Sequence, residues 1–560
     1  MSGMAPEENL ARRVPRTRED SVRSTVGALE IGLVAALLLA AVVASQLHAG
    51  AYAAEFGDDE ASHYISGLLI HDYLAGGWHQ SPITFLKLFH SHYPLVGIGH
   101  WPPLYYGVEA LWMLVFSPSR HSVLALSAVV TTGTAILCYA FLARRLGRAL
   151  ALFGAFAFIA SPLVQGGSAE LMLDIPVTLL CLLAALSFGR YLETGGTWYS
   201  VLFGFLAAAA MLVKGNGICL ALLPPVALVI GRRLDLLRRP SFWLPVPIVA
   251  VLAGPWYVFT YGLAEQGFRY GWGIAFIRLS SVANAESLYD AIGPVVLAAA
   301  VAGLIAVLMA PRASPGSEGF VAAAALAISV YVFHSVVPAA IQDRYLAPAL
   351  PALVILAARG GALVAARLRA WTEQARGLTA GVAGLLAISL VPSAMNAVHK
   401  PRLGLIAAAA QVWQQRIGSN PSVLIVTDAR GEAAAIAELA MLDPKRPSLF
   451  AIRGSRLLGA GGYNNRDYAP RFASAAEAMA AIDEYAIPFV LYRAGGSAGD
   501  WAHLRQIAEA RTLFPDRWEL VYQDSKVSPE VVLFRLRGNE SKAIDATKVI
   551  ALSAPRGLSQ

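Results

Sequence analysis

The sequence predicts a mainly α-helical protein that crosses a membrane many times, with a smaller α/β domain outside it. Hydrophobic residues make up 56% of the 560 residues and charged residues only 14%, and the mean hydropathy is +0.55. A soluble domain carries about 25% charged residues because its surface faces water. This composition excludes a soluble multidomain enzyme, a disordered chain and a coiled coil, and indicates an integral membrane protein.

Eleven apolar runs predict the membrane spans, because a helix needs roughly 20 apolar residues to cross about 30 Å of hydrocarbon. The runs are 31–47, 122–142, 150–163, 173–189, 198–213, 217–231, 242–260, 288–310, 319–338, 345–358 and 378–395. The motif Ala51-Tyr52-Ala53 resembles a signal-peptidase site, but the length of the first run favours an uncleaved anchor. The shorter run 103–116 contains Glu109 and predicts a helix at the membrane interface that does not cross.

The distribution of basic residues predicts the orientation of these spans. With the N-terminus inside, the inner loops collect most of the arginines, including Arg144, Arg145 and Arg148, while the outer loops hold few. This is the positive-inside rule, and it explains the net charge of +7 without a nucleic-acid partner. An odd number of spans then leaves the N-terminus in the cytoplasm and the C-terminal segment outside. We expect a multi-pass protein of a bacterial cytoplasmic membrane.

Composition divides the chain into four parts. These are a basic cytoplasmic tail at 1–27, a transmembrane domain at 28–396 with a first outer loop at 49–121, an outer α/β domain at 397–540 and a mobile tail at 541–560. In the outer domain, short periodic segments predict strands at 422–428, 448–453, 488–493, 518–524 and 531–537 and helices at 431–442 and 475–486. Its glycine-rich turn at 459–462 is weak evidence of a ligand site. We interpret this domain as a scaffold or as a module that faces the acceptor.

The first outer loop contains three consecutive carboxyl residues, Asp58, Asp59 and Glu60, followed by His63 and Tyr64. Adjacent carboxylates repel one another, so we expect a raised pKa for at least one of them. A helix that begins at Asp58 places Asp59 and His63 on one face. The alternative is that Asp58 is only the N-cap of a surface helix.

Other polar groups cluster at the outer ends of the predicted spans. Paired prolines in His100-Trp101-Pro102-Pro103 predict a rigid entry to a helix, with Pro103 in its first turn, or else an aromatic belt at the interface. Ionisable residues at span ends are costly and usually functional, although lysine and arginine can also snorkel. The ionisable groups are Glu170, Asp174, Lys214, Arg269, Arg278 and Arg344.

Histidine and cysteine give little support for a metal site. Histidine is concentrated in the first outer loop, at His63, His71, His79, His90, His92 and His100. No HExxH motif and no pairing of cysteine with histidine is present, so we predict no zinc site and expect solvated interfacial histidines. Nothing in the sequence requires a divalent cation, although one is compatible with the acidic cluster. The three cysteines lie in apolar stretches and predict no disulfide framework.

The order of these motifs resembles the GT-C membrane glycosyltransferases, and most closely their protein mannosyltransferase and aminoarabinose transferase superfamily. The resemblance covers about 28–360 and is thin across the outer domain. The matching stretches are Asp59-Glu60-Ala61 with Tyr64, Pro102 to Tyr106, Ala143 to Arg148, Leu171 to Pro176, Leu212 to Gly215, Pro255 to Tyr257 and Arg344 to Pro351. His100-Trp101 stands where the aminoarabinose branch usually has lysine before the prolines, which argues against that particular substrate.

The resemblance implies transfer of a sugar from a polyprenyl-phosphate donor to a lipid, glycan or protein acceptor at the outer face of the membrane. The catalytic acid of this family corresponds to Asp59, with Glu60 beside it and Asp58 as the alternative register. A carboxylate can accept the proton of the acceptor hydroxyl. For the donor phosphate we expect Lys214 and Arg344 first, then Arg269 and Arg278. Residues expected to line the substrate pocket are His63, Tyr64, His100, Tyr105, Tyr106, Glu170 and Asp174.

Three other functions are compatible with the sequence. A transporter or flippase of lipid-linked substrates would also use charged groups within the membrane, but no internal repeat is evident. A non-catalytic scaffold could bind glycan through its outer domain. A glycan polymerase or ligase would use the same class of donor with a different acceptor.

Overall fold

The computed structural model describes residues 18–265, 267–311, 316–369, 377–395, 399–415, 421–461, 468–494, 501–540 and 542–553. Most of the predicted basic tail, the inner-loop residues Arg312 and Arg376, Gly462 and residues 554–560 lie outside these ranges. Within them the chain is mainly helical, and a small α/β domain follows the last apolar helix. The predicted fold class is therefore confirmed.

The membrane part is a bundle of apolar helices. In the part of the chain that the structure describes, seven helices are long and apolar enough to cross a membrane: Gly27–His48, Arg120–Leu146, Asp174–Thr194, Ile274–Met309, Glu318–Val336, Asp343–Arg369 and Leu378–Met395. Two further candidates are bent pairs, Arg148–Ala160 with Pro162–Ala169 (59°) and Pro240–Leu252 with Gly254–Leu263 (52°). Shorter apolar helices are Leu104–Val115, Thr197–Val213 and Gly215–Ile230. All eleven predicted runs fall on these helices, so the chain is a multi-pass membrane protein. Its number of crossings and its orientation stay predictions.

Two long helices of the bundle, Ile274–Met309 and Asp343–Arg369, approach each other through glycine. A Cβ atom on Gly303 would lie 2.0 Å from the carbonyl oxygen of Leu356. A Cβ atom on Gly360 would lie 2.0 Å from the carbonyl oxygen of Ala299. Small residues permit such close backbone contact, and in a membrane this packing holds helices together because lipid is as apolar as their side chains.

The first outer loop folds into short helices at Asp58–Ala75, Pro82–His92 and Leu104–Val115. The helix that begins at Asp58 is as predicted, but its N-cap is Gly57, without a side-chain cap hydrogen bond. The alternative of Asp58 as N-cap is therefore wrong. Pro103 is the N-cap of helix Leu104–Val115 and does not lie in its first turn, where it was predicted. That helix buries the Glu109 side chain among protein atoms.

Two histidines of this loop differ from the prediction of solvated side chains, whereas His79 is exposed as predicted. His63 and His92 are buried, and the His92 ring stacks on Phe450 of the outer domain at 3.9 Å between ring centroids. His71 Nδ1 lies 2.7 Å from the Asp72 carboxylate. The outer domain covers His92, whereas Trp101 and Tyr106 of the same loop enclose His63, and composition alone reveals neither contact.

The outer domain contains a five-stranded mixed sheet. Its strands are β1 (Ser422–Val426), β2 (Phe450–Arg453), β5 (Phe489–Arg493), β6 (Trp518–Asp524) and β7 (Val531–Leu536), and a separate short pair joins β3 (Gly459–Ala460) to β4 (Ala469–Pro470). The order in the sheet is β2-β1-β5-β7-β6, with β1 parallel to both β2 and β5. Helices follow at Ala429–Leu442, Ala475–Glu484 and Ala502–Leu513. All five predicted strands and both predicted helices of this domain are present.

The C-terminal tail is a correction. Residues 541–560 are predicted to be mobile, but Ala546–Ser553 form a helix. Val549 of this helix is 1% exposed and belongs to an apolar cluster of the outer domain. Burial of Val549 stabilises this short helix against the outer domain. The polar sequence on either side of the helix does not indicate this contact.

The outer domain packs directly on the first outer loop. One apolar cluster contains Phe56 and Phe89 of the loop together with Val412 and Leu439 of the outer domain. Charged pairs reinforce the contact: Arg446 binds Asp72 at 2.8 Å, and Arg120 binds Glu438. Tyr93 donates a hydrogen bond of 2.5 Å to Asp443. These contacts attach the domain to the loop that carries the three carboxyls.

We predict that Gly360→Val destabilises the protein by about 1–3 kcal/mol, because the added side chain forces apart two backbones in contact. Gly384→Val is the matched control, since a Cβ atom there meets nothing within 4 Å. Thermal unfolding followed by size-exclusion chromatography in detergent measures both variants. Equal melting temperatures for the two variants would show that the helices do not cross at Gly360.

Candidate active site

The three consecutive carboxyls point toward three different parts of the protein. They occupy the first turn of helix Asp58–Ala75, where successive residues are turned by about 100° from one another. Asp59 faces Arg344 of the helical bundle, Glu60 faces Lys400 of the connection to the outer domain, and Asp58 faces Arg430 of the outer domain. Burial, together with repulsion from Asp59, raises the pKa of Asp58 even beside Arg430. The expected raised pKa in this cluster is thus found.

Asp59 forms an ion pair with Arg344. Arg344 Nη2 donates a hydrogen bond of 2.8 Å to Asp59 Oδ2, and Arg344 Nε donates to Gln342 Oε1 at 2.8 Å. The two charged side chains are 39% and 30% exposed, so the pair is open to incoming groups. Burial alone would raise the pKa of Asp59, but the hydrogen bond from Arg344 and nearby positive charge outweigh it and lower that pKa. Asp59 is therefore ionised at neutral pH.

Lys214 lies close behind this pair. Its Nζ donates a hydrogen bond of 2.6 Å to Asp174 Oδ1, and both side chains are buried. The ammonium group also lies 4.8 Å from the centre of the Tyr345 ring. Burial lowers the pKa of Lys214, and the charge of Asp174 opposes this shift. The positive charges of Lys214 and Arg344 both act on Asp59, which places the two predicted phosphate ligands together.

Glu60 is held by a buried ion pair of its own. Lys400 Nζ lies 2.8 Å from both oxygens of Glu60, and the backbone N–H of Leu171 donates to Oε1 at 3.0 Å. The two charged side chains are only 5% and 4% exposed. Glu60 therefore connects the first outer loop to the start of the outer domain, and its lone pairs are occupied.

Glu170 is the remaining carboxyl of the cluster, half-buried between the ion pairs. Burial, followed by the charge of Glu60, raises its pKa to about 7 against the attraction of Lys400 and Arg344. This carboxyl changes its protonation near neutral pH.

His63 lies on the same helical face as Asp59, as predicted, and is enclosed by aromatic residues. Its Nδ1 is 2.8 Å from the hydroxyl of Tyr106, and its ring packs edge-on against Trp101 at 4.7 Å between centroids. Burial lowers the pKa of His63 to about 3, so the ring is neutral at physiological pH. The proline-rich entry and the acidic helix thus form one wall of the site.

Other predicted site residues lie elsewhere. The Tyr64 hydroxyl donates to the carbonyl oxygen of Pro118 at 2.9 Å, and the buried Tyr105 belongs to the core of the bundle. Burial lowers the pKa of His100, which lies near Leu263. Arg269 is exposed and acts electrostatically on Tyr345, whereas Arg278 is exposed on the helix Ile274–Met309. Tyr64, Tyr105 and Arg278 do not join the charged cluster.

Two basic residues at the site were not identified from the sequence, Lys400 and Arg430. Both lie beyond the last apolar run and reach the carboxyls from the outer domain side. The only sequence signal is their position: a basic residue directly after the last span is placed at the same membrane face as the first outer loop. Across the described ranges, no group of three or more histidine, cysteine, aspartate or glutamate residues is arranged to hold a metal ion.

Comparisons with known proteins agree with this architecture. The structure of ArnT from Cupriavidus metallidurans bound to undecaprenyl phosphate superposes with a TM-score of 0.56 and 15% identity, over 90% of this chain and 99% of that one. The apo oligosaccharyltransferase of Archaeoglobus fulgidus gives a TM-score of 0.51 and 13% identity, over 81% of this chain and 69% of that one. No curated protein matches the sequence significantly.

The chain has the fold of ArnT and of this oligosaccharyltransferase, and the fold expected from the resemblance to the GT-C membrane glycosyltransferases is thereby confirmed. Residues 100–259 also match the family model described as dolichyl-phosphate-mannose-protein mannosyltransferase. The matched segment begins at His100 and includes Tyr106, Glu170, Asp174 and Lys214.

We predict that Lys400→Met costs about 3–5 kcal/mol of stability, because it leaves the Glu60 carboxylate buried without its partner. The double variant Glu60→Gln, Lys400→Met should recover most of that loss. Lys445→Met, at an exposed site of the outer domain, serves as the control in thermal unfolding. A single Lys400→Met variant as stable as this control would remove the structural role of the pair.

Proposed function

We propose that the protein is a glycosyltransferase that acts at the outer face of the cytoplasmic membrane. It moves a sugar from a polyprenyl-phosphate donor to an acceptor hydroxyl. The observation that carries the proposal is the half-exposed ion pair of Asp59 and Arg344 next to the buried Lys214. It combines an ionised carboxylate with two fixed cations in one place. The undecaprenyl phosphate bound to ArnT, which shares the fold, supports the donor class. The protein would reside in the cytoplasmic membrane of a bacterium, with the N-terminus inside.

The reaction requires one base and one phosphate site. The acceptor oxygen forms a bond to the anomeric carbon while the bond from that carbon to the donor phosphate breaks, and the phosphate leaves with the electron pair. Asp59 accepts the proton of the acceptor hydroxyl as general base. Arg344 and Lys214 stabilise the extra negative charge on the leaving phosphate. This electrostatic stabilisation is stronger in a site partly shielded from water. A lipid, a glycan or a protein can supply the hydroxyl.

The ion pair makes the base dependent on the donor. In the free protein Arg344 holds Asp59 and lowers its pKa, and a carboxylate of low pKa is a weak base. A donor phosphate competes for the same guanidinium, which can bind phosphate through two parallel hydrogen bonds. Arg344 then turns to the phosphate, and Asp59 becomes a stronger base only when the donor is in place. The carboxylate of Asp59 therefore stays a weak base until the donor has bound.

We predict that Asp59→Asn lowers the transfer rate by about 10²–10⁴-fold, because the amide cannot accept the proton. Cells that lack the protein and carry this variant should accumulate a polyprenyl-linked monosaccharide, measured by mass spectrometry. Asp343→Asn, the same change at an exposed carboxylate one residue before Arg344, is the control. Full activity of a folded Asp59→Asn variant would remove its role, and loss confined to Glu170→Gln would assign the base to Glu170.

We predict that Arg344→Ala weakens binding of undecaprenyl phosphate by roughly tenfold to a hundredfold, since charged hydrogen bonds contribute about 1.5–3 kcal/mol. Arg344→Lys should lose less, because it keeps the charge but not the paired donors. Binding to the purified protein in lipid nanodiscs gives the affinities, with Arg402→Ala, at an exposed site, as the control. Wild-type affinity in both Arg344 variants would exclude a phosphate contact.

A further inference from the structure

The carboxyl edge of the outer sheet lies against the acidic helix. Strands β1 and β5 are parallel neighbours in the sheet. After β1 the chain continues to β2 on one side of this pair, and after β5 it continues to β6 on the other side. Ligands of such sheets bind at this point, where the connections diverge outside the carboxyl ends of the strands. Here these ends supply Thr427, Asp428 and Arg430 after β1 and Arg493 at the end of β5. Arg430 lies over Gly57, where a Cβ atom would meet its side chain at 3.1 Å.

Both arginines of this edge have hydrogen-bond donors to spare. Arg430 Nε is 4.0 Å from Asp58, and Arg493 Nη1 is 3.8 Å from Asp428, beyond the hydrogen-bond range of about 2.7–3.2 Å. The Nε atoms of both arginines and the Oγ1 of Thr427 are buried and have no hydrogen-bond partner among the described residues. Arg493 is only 5% exposed, and Thr427 only 1%. A buried donor without a partner calls for an explanation, and an unbound ligand or water is one.

The position of the edge fits the acceptor side of the reaction. This step rests on the proposed function, in which Arg344 and Lys214 hold the leaving phosphate. In a direct displacement the acceptor oxygen approaches the anomeric carbon from the side opposite to the leaving group. Arg430 acts electrostatically on Asp58, which is next to Asp59 in the chain, and on Glu170, so it reaches the acidic cluster from the outer domain. Arg344 reaches the same cluster from the bundle.

We propose that Arg430 and Arg493 bind an anionic group of the acceptor, a phosphate or a carboxylate, and thereby orient its hydroxyl toward Asp59. Guanidinium groups bind such anions through paired, charge-assisted hydrogen bonds. The anion would displace Asp58 and Asp428 from their loose contacts with the two arginines. The outer domain then supplies the acceptor site, and the bundle supplies the donor site.

The test compares the binding of glucose 6-phosphate with that of glucose. Saturation-transfer NMR measures both on the full-length protein in phosphatidylcholine nanodiscs. We expect the wild type to prefer the phosphorylated sugar by about tenfold or more, the scale of one charge-assisted hydrogen bond. Arg430→Gln, at a half-exposed position, should lose this preference, and Arg493→Lys should reduce it. Arg505→Ala, an exposed change in the same domain, should retain it.

The source of the anion is separated by adding phosphatidylglycerol to the nanodiscs. Competition with glucose 6-phosphate would indicate a lipid headgroup, and no competition would indicate a soluble or glycan-borne anion. Equal binding of the two sugars, or an unchanged preference in Arg430→Gln, would overturn the proposal. Undecaprenyl phosphate binding in the same samples keeps the two hypotheses apart: Arg344→Ala should lose it and Arg430→Gln should keep it.

Discussion

The candidate active site depends on one arrangement: three adjacent carboxylates share the first turn of a helix, and each lies against a different cation. A turn of helix rotates successive residues by about 100°, so the three side chains diverge by necessity. Asp59 meets the bundle at Arg344, Glu60 meets the inter-domain connection at Lys400, and Asp58 meets the outer domain at Arg430. The attraction of each carboxylate to a different cation therefore connects three parts of the chain to one turn.

The three pairs differ in burial, and the difference separates structural from chemical roles. A buried pair such as Glu60 and Lys400 fixes geometry, because exposing either charge alone is costly. The pair of Asp59 and Arg344 is open to solvent and can exchange partners with little cost. The contact of Asp58 with Arg430, at 4.0 Å, is the loosest of the three. The rigid pair thus lies beside Asp59, the carboxylate that we propose as the base, and the two adaptable pairs lie where we propose that the substrates enter.

The sequence predicted those features that are local along the chain. Apolar runs located the membrane helices, short periodic segments located the strands of the outer domain, and the spacing of four residues placed Asp59 and His63 on one helical face. It did not predict Lys400 as the partner of Glu60, because 340 residues separate them and only tertiary packing brings them together. The burial of His63 and the order of Ala546–Ser553 were missed for the same reason: both depend on surfaces contributed by distant segments. The proximity of Arg344 and Lys214 was expected only from the resemblance of the motif order to a known family.

Charge balance limits how this site can accept a phosphate. Its carboxyls outnumber its cations: Asp58, Asp59, Glu60, Glu170 and Asp174 face Lys214, Arg344, Lys400 and Arg430. A donor phosphate adds further negative charge, which a partly buried cluster tolerates only if a proton enters with it. Glu170, whose pKa is raised to about 7, is the carboxyl that can take up this proton at neutral pH. Donor binding should therefore raise this pKa further and keep Glu170 neutral, so that Asp59 can stay ionised and act as the base after Arg344 has turned to the phosphate.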